Sequence, residues 1–149
     1  MKDSPAMVWR AMGDEEMLRV GRELATHLQP GDVVLLVGEM GAGKTTLAKG
    51  IVAGFGGGAP EDVGSPTFTL VHEYEAERLV YHLDLYRLET EAAVRAIGID
   101  EMLDGLAEGE GALMLVEWGE RFPALWPAER MVVTVRDEDG VREVRLQKS

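Results

Sequence analysis

The apolar residues of this chain fall into short blocks whose spacing alternates between that of strands and that of helices. Residues 33–37 and 112–116 are continuous apolar runs bounded by polar or turn-forming residues. Such runs are typical of strands that are buried on both faces of a sheet. Leu47, Ala48 and Ile51 follow the first run at helical spacing. The pattern predicts an α/β fold.

The N-terminal third is predicted to hold one strand and two helices besides the first apolar run. Residues 7–12 form a short strand, and a helix begins near Gly13, with Asp14 as its N-cap, and ends at Pro30-Gly31. The second helix covers about residues 43–54, after which closely spaced glycines provide a C-cap and a loop.

The middle of the chain favours a β-hairpin over a strand-helix-strand crossover. Residues 69–74 and 79–85 are rich in strand-forming side chains, and residues 75–78 would turn the chain between them. The sheet would therefore be mixed, with antiparallel strands beside the strand at residues 33–37. On the strand at residues 79–85, His82 and Asp84 would share a face.

The C-terminal half is predicted to contain two short helices, the second apolar run and a final hairpin. The first helix covers residues 89–97 and stops at Gly98, and Asp100 would cap the second. Residues 130–136 and 141–147 form the hairpin around residues 137–140. We find no linker or repeat, so residues 1–149 are predicted to be one domain.

The segment 38–45 reads Gly-Glu-Met-Gly-Ala-Gly-Lys-Thr and fits the phosphate-binding loop G-x-x-x-x-G-K-[ST] at every fixed position. Its glycines let backbone N–H groups and a helix N-terminus approach phosphates. Lys44 would reach the β- and γ-phosphates, and the Thr45 hydroxyl would bind Mg²⁺. The residues predicted to bind the nucleotide are Glu39, Met40, Gly41, Ala42, Gly43, Lys44, Thr45 and Thr46.

Two carboxylates at strand ends are candidates to complete the magnesium site. Glu117 follows the second apolar run, and Asp84 lies near the end of its own strand. Mg²⁺ in such sites is held by the loop hydroxyl and an acidic residue of this kind. Either carboxylate would bind the ion directly or through water, or one would orient Mg²⁺ and the other the attacking water. His82 with Asp84 is also half of a transition-metal site, but no second His or Cys cluster supports it.

Several other residues have both a functional and a structural interpretation. Ser65 and Thr67 are placed to sense a γ-phosphate as a switch segment does, or form an ordinary turn. Arg87 and Arg121 either contact phosphate or remain exposed or paired with carboxylates. Trp118 is a packing residue whose position beside Glu117 makes it an optical reporter of nucleotide binding.

The composition limits the classes of function. The chain has 149 residues, no Cys and a net charge of −12, which excludes disulfides and opposes direct binding to a nucleic-acid backbone. The first residues lack a signal-peptide core, and no apolar run approaches the roughly 18 residues of a membrane span. We expect a soluble cytoplasmic protein, and the sequence leaves weak self-association open.

Four segments together resemble the bacterial TsaE (YjeE) family. They are the loop with its extra Thr46, Ser-Pro-Thr-Phe-Thr-Leu-Val-His-Glu-Tyr over residues 65–74, Tyr-His-Leu-Asp-Leu-Tyr-Arg-Leu over residues 81–88, and Glu117-Trp118. The resemblance covers nearly the whole chain. It implies a P-loop NTPase of three layers, with a parallel core and antiparallel hairpins in its mixed sheet. The sequence departs from the family at one place: residues 12–17 lack the Ser-x-x-x-Thr-like pattern with which the first helix of the family often opens, near the nucleotide base.

The resemblance also implies a function and roles for individual residues. The family is a small ATPase needed for threonylcarbamoyladenosine formation in tRNA, acting on the partner proteins TsaD and TsaB and reaching tRNA through them. ATP and Mg²⁺ are the implied cofactors. Carried onto this chain, Lys44 and Thr45 take the phosphate and metal roles, Thr67 the switch role, and Asp84 and Glu117 the acidic roles.

Two other functions are compatible with a phosphate-binding loop. A small-molecule kinase also pairs the loop with acidic residues, but this chain has no clustered arginine lid. A GTP-gated switch would normally read guanine with Asn-Lys-x-Asp, and the chain has no Asn. An ATPase stimulated by its partners, weak alone, is therefore the leading hypothesis.

Overall fold

The computed structural model describes residues 6–39, 41–59, 71–109 and 111–148. Within them, seven strands form a single sheet in the order β1-β7-β6-β2-β5-β4-β3. The elements are β1 (Met7–Ala11), α1 (Gly13–Ala25), β2 (Val33–Val37), α2 (Lys44–Phe55), β3 (Val71–Glu75), β4 (Leu79–Asp84), α3 (Glu91–Arg95), α4 (Ile99–Ala107), β5 (Leu113–Glu117), β6 (Met131–Glu138) and β7 (Val141–Lys148), with 3₁₀ turns at Gly119–Arg121 and Pro123–Leu125.

The centre of the sheet is parallel and its margins are antiparallel. Strand β2 pairs in parallel with both β5 and β6, and β4 pairs in parallel with β5. The antiparallel pairs are β3 with β4, β6 with β7, and β7 with β1. The predicted mixed sheet is confirmed. The prediction that antiparallel strands lie beside β2 is wrong, because the two apolar runs pair with each other and strands buried on both faces occupy the middle of a sheet.

Helices cover both faces of the sheet, which confirms the three-layer α/β architecture. Val34 and Leu36 of β2 point into a core formed with α1 and α2. Val33 and Leu35 point into a second core, formed with α3, α4 and the two 3₁₀ turns. The alternation along β2 therefore divides its side chains between two apolar layers. No described helix is long and apolar enough to cross a bilayer.

Helices α1 and α2 cross at glycines, so that their backbones touch. A Cβ added to Gly21 would lie 2.6 Å from the carbonyl oxygen of Leu47 and 2.7 Å from the Cα of Gly50. A Cβ added to Gly54 would lie 2.8 Å from the Cα of Arg22. The helix that follows the phosphate-binding loop is thus held directly against α1.

Two predicted helix caps are wrong. Met12 is the N-cap residue of α1, and Asp14 lies in the first turn. The backbone N–H of Met12 donates a hydrogen bond of 2.8 Å to Glu16 Oε1. A side chain of the first turns thus pairs with the N–H of the N-cap residue, which would otherwise face solvent. Helix α4 begins after Gly98 (φ = 95°), so Asp100 also lies in a first turn.

The other predicted elements are observed with small shifts in their ends. The first hairpin strand is observed as Val71–Glu75, and residues 69–70 of the prediction lie outside the described residues. The C-terminal hairpin turns at Asp139 (φ = 53°) and Gly140 (φ = 86°). Two successive left-handed residues are the requirement of a two-residue hairpin turn, which explains the Asp-Gly pair.

Candidate nucleotide-binding site

The phosphate-binding loop connects the end of β2 to the start of α2. A Cβ at Gly38 would lie 2.7 Å from the carbonyl oxygen of Val135 in β6, so the base of the loop is pressed against that strand. Gly41 (φ = 83°) and Gly43 (φ = 103°) have left-handed backbones that favour glycine. Gly43 is the N-cap of α2, and no described side chain caps this helix. The N–H groups of its first turn therefore have no side-chain acceptor there and suit an anion.

Lys44 is buried without a hydrogen-bond partner among the described residues. It is 5% exposed, and its Nζ lies 3.8 Å from the centroid of the Trp118 ring. A buried ammonium is costly unless an anion or a hydrogen-bond acceptor compensates it, and an aromatic face does so only in part. The unpaired Nζ, close to the start of α2, fits a phosphate group as its partner.

Asp84 and Glu117 lie side by side at the ends of two parallel strands. They are opposite each other in the register of β4 and β5, and Glu117 is also opposite Leu36 of β2. The structure thus brings both predicted carboxylates to the edge of the sheet where the phosphate-binding loop begins. Carboxylate oxygens at this edge suit Mg²⁺.

The two carboxylates differ in their surroundings. Glu117 is 4% exposed, and its Oε2 lies 2.7 Å from Nε2 of His82, which is itself fully buried. Asp84 is half-buried, and its Oδ1 accepts a hydrogen bond of 3.0 Å from the Tyr86 N–H. Glu117 is therefore held by a side chain, whereas Asp84 is held by the loop that follows its strand.

Burial raises the pKa of Asp84 above its ordinary value of 3.8. The neighbouring Glu117 charge also raises the pKa, while the Tyr86 N–H, His82 and Lys44 lower it. Two carboxylates that share a partly desolvated site repel each other. A divalent cation between them and the phosphates would relieve this repulsion, so the donor set fits the predicted metal.

In the part of the chain that the structure describes, His82 pairs with Glu117 and does not form half of a transition-metal site. Its Nε2 is engaged by Glu117, and the described residues contain no group of three or more His, Asp or Glu side chains arranged to hold a metal ion. Sequence reasoning missed this pair because the two residues are on different strands and meet only through the parallel register of β4 and β5.

Trp118 and Arg121 organise the segment that follows Glu117. Trp118 has a left-handed backbone (φ = 67°), and its ring lies 5.1 Å from the Tyr86 ring. Nη2 of Arg121 donates to the carbonyl oxygens of Leu85, of Tyr86 at 3.0 Å and of Leu88 at 2.9 Å. Arg121 is exposed, as one of its structural interpretations predicted, but its guanidinium is held by backbone carbonyl oxygens rather than by a carboxylate. It ties the loop after Asp84 to the turn after Trp118.

Some predicted site residues lie outside the described residues or remain untested. Ser65, Thr67 and Met40 are in the first group, so the switch role of Thr67 stays a prediction. Glu39 is exposed, Ala42 is buried, and Thr45 and Thr46 are half-buried in the first turn of α2. A cleft of about 890 Å³ extends from the loop towards the end of β6. It is lined by residues that include Gly38, Glu39, Gly41, Trp118, Glu120 and Arg136.

Comparison with known proteins identifies relatives over nearly the full length. A family model described as "Threonylcarbamoyl adenosine biosynthesis protein TsaE" matches residues 12–144. The tRNA threonylcarbamoyladenosine biosynthesis protein TsaE of Bacillus subtilis (strain 168) is 38% identical to this chain over 138 residues, which cover 91% of this chain and 82% of the relative. The corresponding protein of Nostoc sp. (strain PCC 7120) is 38% identical over 133 residues, covering 89% of this chain and 80% of the relative.

A solved structure shares the fold. The crystal structure of Bacillus subtilis YdiB superposes with a TM-score of 0.74 at 30% sequence identity, covering 97% of this chain and 86% of that chain. The likeness supports a P-loop NTPase fold with the phosphate-binding loop at the end of β2.

Proposed function

Because the chain belongs to the TsaE family, which acts in tRNA threonylcarbamoyladenosine biosynthesis, we propose that it is a Mg²⁺-dependent ATPase that works with the partner proteins TsaD and TsaB. The observation that carries the proposal is the buried Nζ of Lys44 at the start of α2, which has no hydrogen-bond partner among the residues that the structure describes. Two strand-end carboxylates complete the arrangement. Those features are the parts that phosphate transfer from a nucleotide requires.

Each part of the site has a proposed task. The backbone N–H groups at the start of α2 bind the phosphates, and Lys44 leaves the face of Trp118 to reach the β- and γ-phosphates. Thr45 and Asp84 would hold Mg²⁺, which would neutralise charge on the phosphates. Glu117, oriented by His82, positions the water that attacks the γ-phosphorus as the bond to the ADP oxygen breaks. Thr67 keeps its predicted role as a sensor of the γ-phosphate.

Hydrolysis by the chain alone is expected to be slow. Among the described arginines, Arg121 donates to three backbone carbonyls and is not available as a finger. A catalytic arginine supplied in trans has a large effect on such reactions. The net charge of −12 favours contact with tRNA through the partners rather than directly. ATP turnover would then drive or reset a larger complex in the cytoplasm.

Reconstitution of the modification tests the proposal. TsaD, TsaB, tRNA and the threonylcarbamoyl donor are combined with the wild-type chain, with Lys44→Ala, with Glu117→Ala or with no addition. Of these four, we expect many turnovers per complex with the wild type alone. Lys49→Ala changes another lysine of α2 and serves as the matched control, with full activity expected.

The outcome that contradicts the proposal is a full multi-turnover rate without the chain or with Lys44→Ala. A second measurement follows the γ-phosphate of labelled ATP. Release as inorganic phosphate supports an ATPase, whereas appearance on a small acceptor would support the alternative of a small-molecule kinase.

A further inference from the structure

Arg142 is a cation at the phosphate-binding loop that has no task in the proposed mechanism of hydrolysis. It lies near the start of β7, opposite Ala11 of β1 and opposite Asp137 of β6. Its side chain is 22% exposed. The register of the sheet therefore brings a half-buried arginine, nearly a hundred residues away along the chain, to the phosphate-binding loop.

The guanidinium occupies the space that a side chain at Gly43 would fill. A Cβ built on Gly43 would lie 2.8 Å from Nη1 of Arg142 and 3.2 Å from its Cζ, with Met17 at 3.1 Å. Gly43 immediately precedes Lys44 and is the N-cap of α2. The missing side chain thus lets the Arg142 guanidinium approach the backbone of the phosphate-binding loop at the residue before Lys44.

Arg142 is weakly partnered in the described part of the chain. The hydrogen bond found there is 3.5 Å long, from Nη1 to Oδ1 of Asp14, whose side chain is 77% exposed. A guanidinium has five N–H donors, and an exposed ion pair at this distance is weak. A phosphate, which accepts two parallel hydrogen bonds from arginine, is a stronger partner.

The sheet order indicates which phosphate Arg142 would meet. Asp84 and Glu117 lie on β4 and β5, on one side of β2. The Lys44 ammonium lies over Trp118, the residue that directly follows β5. Arg142 lies on β7, on the other side of β2. A polyphosphate chain whose γ end lies between Lys44 and the carboxylates therefore has its sugar-proximal end towards β6 and β7.

We propose that Arg142 binds the α-phosphate of the nucleotide, exchanging its contact with Asp14 for the phosphate oxygens. The inference rests on the proposed function, because it assumes that the loop binds a nucleoside polyphosphate. Arg142 acts in binding, and its contribution is the same for ATP and ADP since both carry the α-phosphate. It does not take part in the attack on the γ-phosphorus.

Calorimetric titration with ATP and with ADP in the presence of Mg²⁺ tests this role. Arg142→Gln is expected to weaken both affinities equally, by about 10- to 100-fold, as for loss of a charge-assisted hydrogen bond. Arg142→Lys retains the charge but loses the paired geometry, so an intermediate loss is expected. Arg145→Gln removes an exposed arginine of the same strand and is the matched control, with unchanged affinities.

Two further measurements separate binding from a structural role. Melting without nucleotide shows whether each variant is folded, and the hydrolysis rate at saturating ATP is expected to be unchanged in Arg142→Gln while KM rises. Asp14→Asn breaks the same ion pair but leaves the guanidinium, so its affinities are expected to be equal to or tighter than wild type.

The outcomes distinguish the inference from the proposed function. If wild type binds both nucleotides and Arg142→Gln binds them equally well, or loses only ATP, the inference is overturned and the ATPase proposal stands. Equal weakening by Asp14→Asn and Arg142→Gln would overturn it too, because the pair rather than the guanidinium would then matter. If wild type binds neither ATP nor ADP, both proposals fall.

Discussion

Replacement of Gly21 by alanine tests whether the backbone contact between α1 and α2 limits the stability of the fold. The added methyl group would lie 2.6–2.8 Å from three backbone atoms of α2, of Leu47, Gly50 and Ile51. Ordinary contacts between carbon atoms are about 3.5–4.0 Å, so the helices would have to separate by roughly 1 Å. Backbone atoms cannot rotate away, unlike the end of a side chain.

Two opposing effects set the magnitude. Alanine is a better helix former than glycine by about 1 kcal/mol. Overpacking costs about 1–3 kcal/mol, and three backbone obstacles place Gly21→Ala at the upper end of that range. The net destabilisation is therefore about 2 kcal/mol, which corresponds to a fall in Tm of about 4–8 °C for a chain of this length.

Thermal and urea unfolding without nucleotide measure this effect. Arg19→Ala is the matched control, because Arg19 is an exposed residue of α1, and its change is expected to stay within about 0.5 kcal/mol. An unchanged or higher Tm for Gly21→Ala would refute the view that the glycine is required by close packing.

Further predictions concern the site. Asp84→Asn is expected to abolish Mg²⁺-dependent hydrolysis and to stabilise the nucleotide-free protein. Burial raises the pKa of Asp84 above its ordinary value of 3.8. The stability that the neutral carboxyl contributes to the wild type is therefore complete below pH 3.8 and is lost as the pH rises through the pKa of the folded state. The difference in Tm from wild type should therefore grow with pH through that range, and a constant difference would contradict this. ATP is expected to change the fluorescence of Trp118 by drawing Lys44 from its ring, an effect absent in Lys44→Met, and GTP is expected to compete more weakly than ATP; tighter GTP binding would argue for a GTP-gated switch. His82→Ala is expected to cost about 3 kcal/mol in urea unfolding, because Glu117 loses its hydrogen bond, and a smaller loss in His82→Gln would show that a donor suffices.

Local features of this fold were predictable from the sequence, and contacts between distant segments were not. The phosphate-binding loop depends on spacing within eight residues, and the strand before it and the helix after it follow from apolar patterns, so all three were predicted. Asp84 and Glu117 were identified because each ends a strand. Their alignment, and the engagement of Glu117 by His82, depend on the register between β4 and β5, which no local pattern specifies.

The incorrect predictions also arise from contacts between segments that are far apart in the sequence. A hairpin at residues 71–84 was correctly predicted, but the strand beside β2 is chosen by the pairing of apolar runs across the whole sheet. Arg142 was missed because nothing near it in the sequence marks it as a site residue. Asp14 and Asp100 are good N-caps by residue type, yet each helix begins one or more residues earlier.

The contact of Gly38 with β6 has a consequence for protein synthesis. The loop rests on the carbonyl oxygen of Val135, and β2 takes β6 as one of its two neighbours. A nascent chain that ends before residue 131 already contains the complete phosphate-binding motif but lacks the strand that supports it. Affinity for nucleotide is therefore expected to appear only after β6 and β7 have left the ribosome, so that ATP binds chains that already contain this hairpin and not shorter ones.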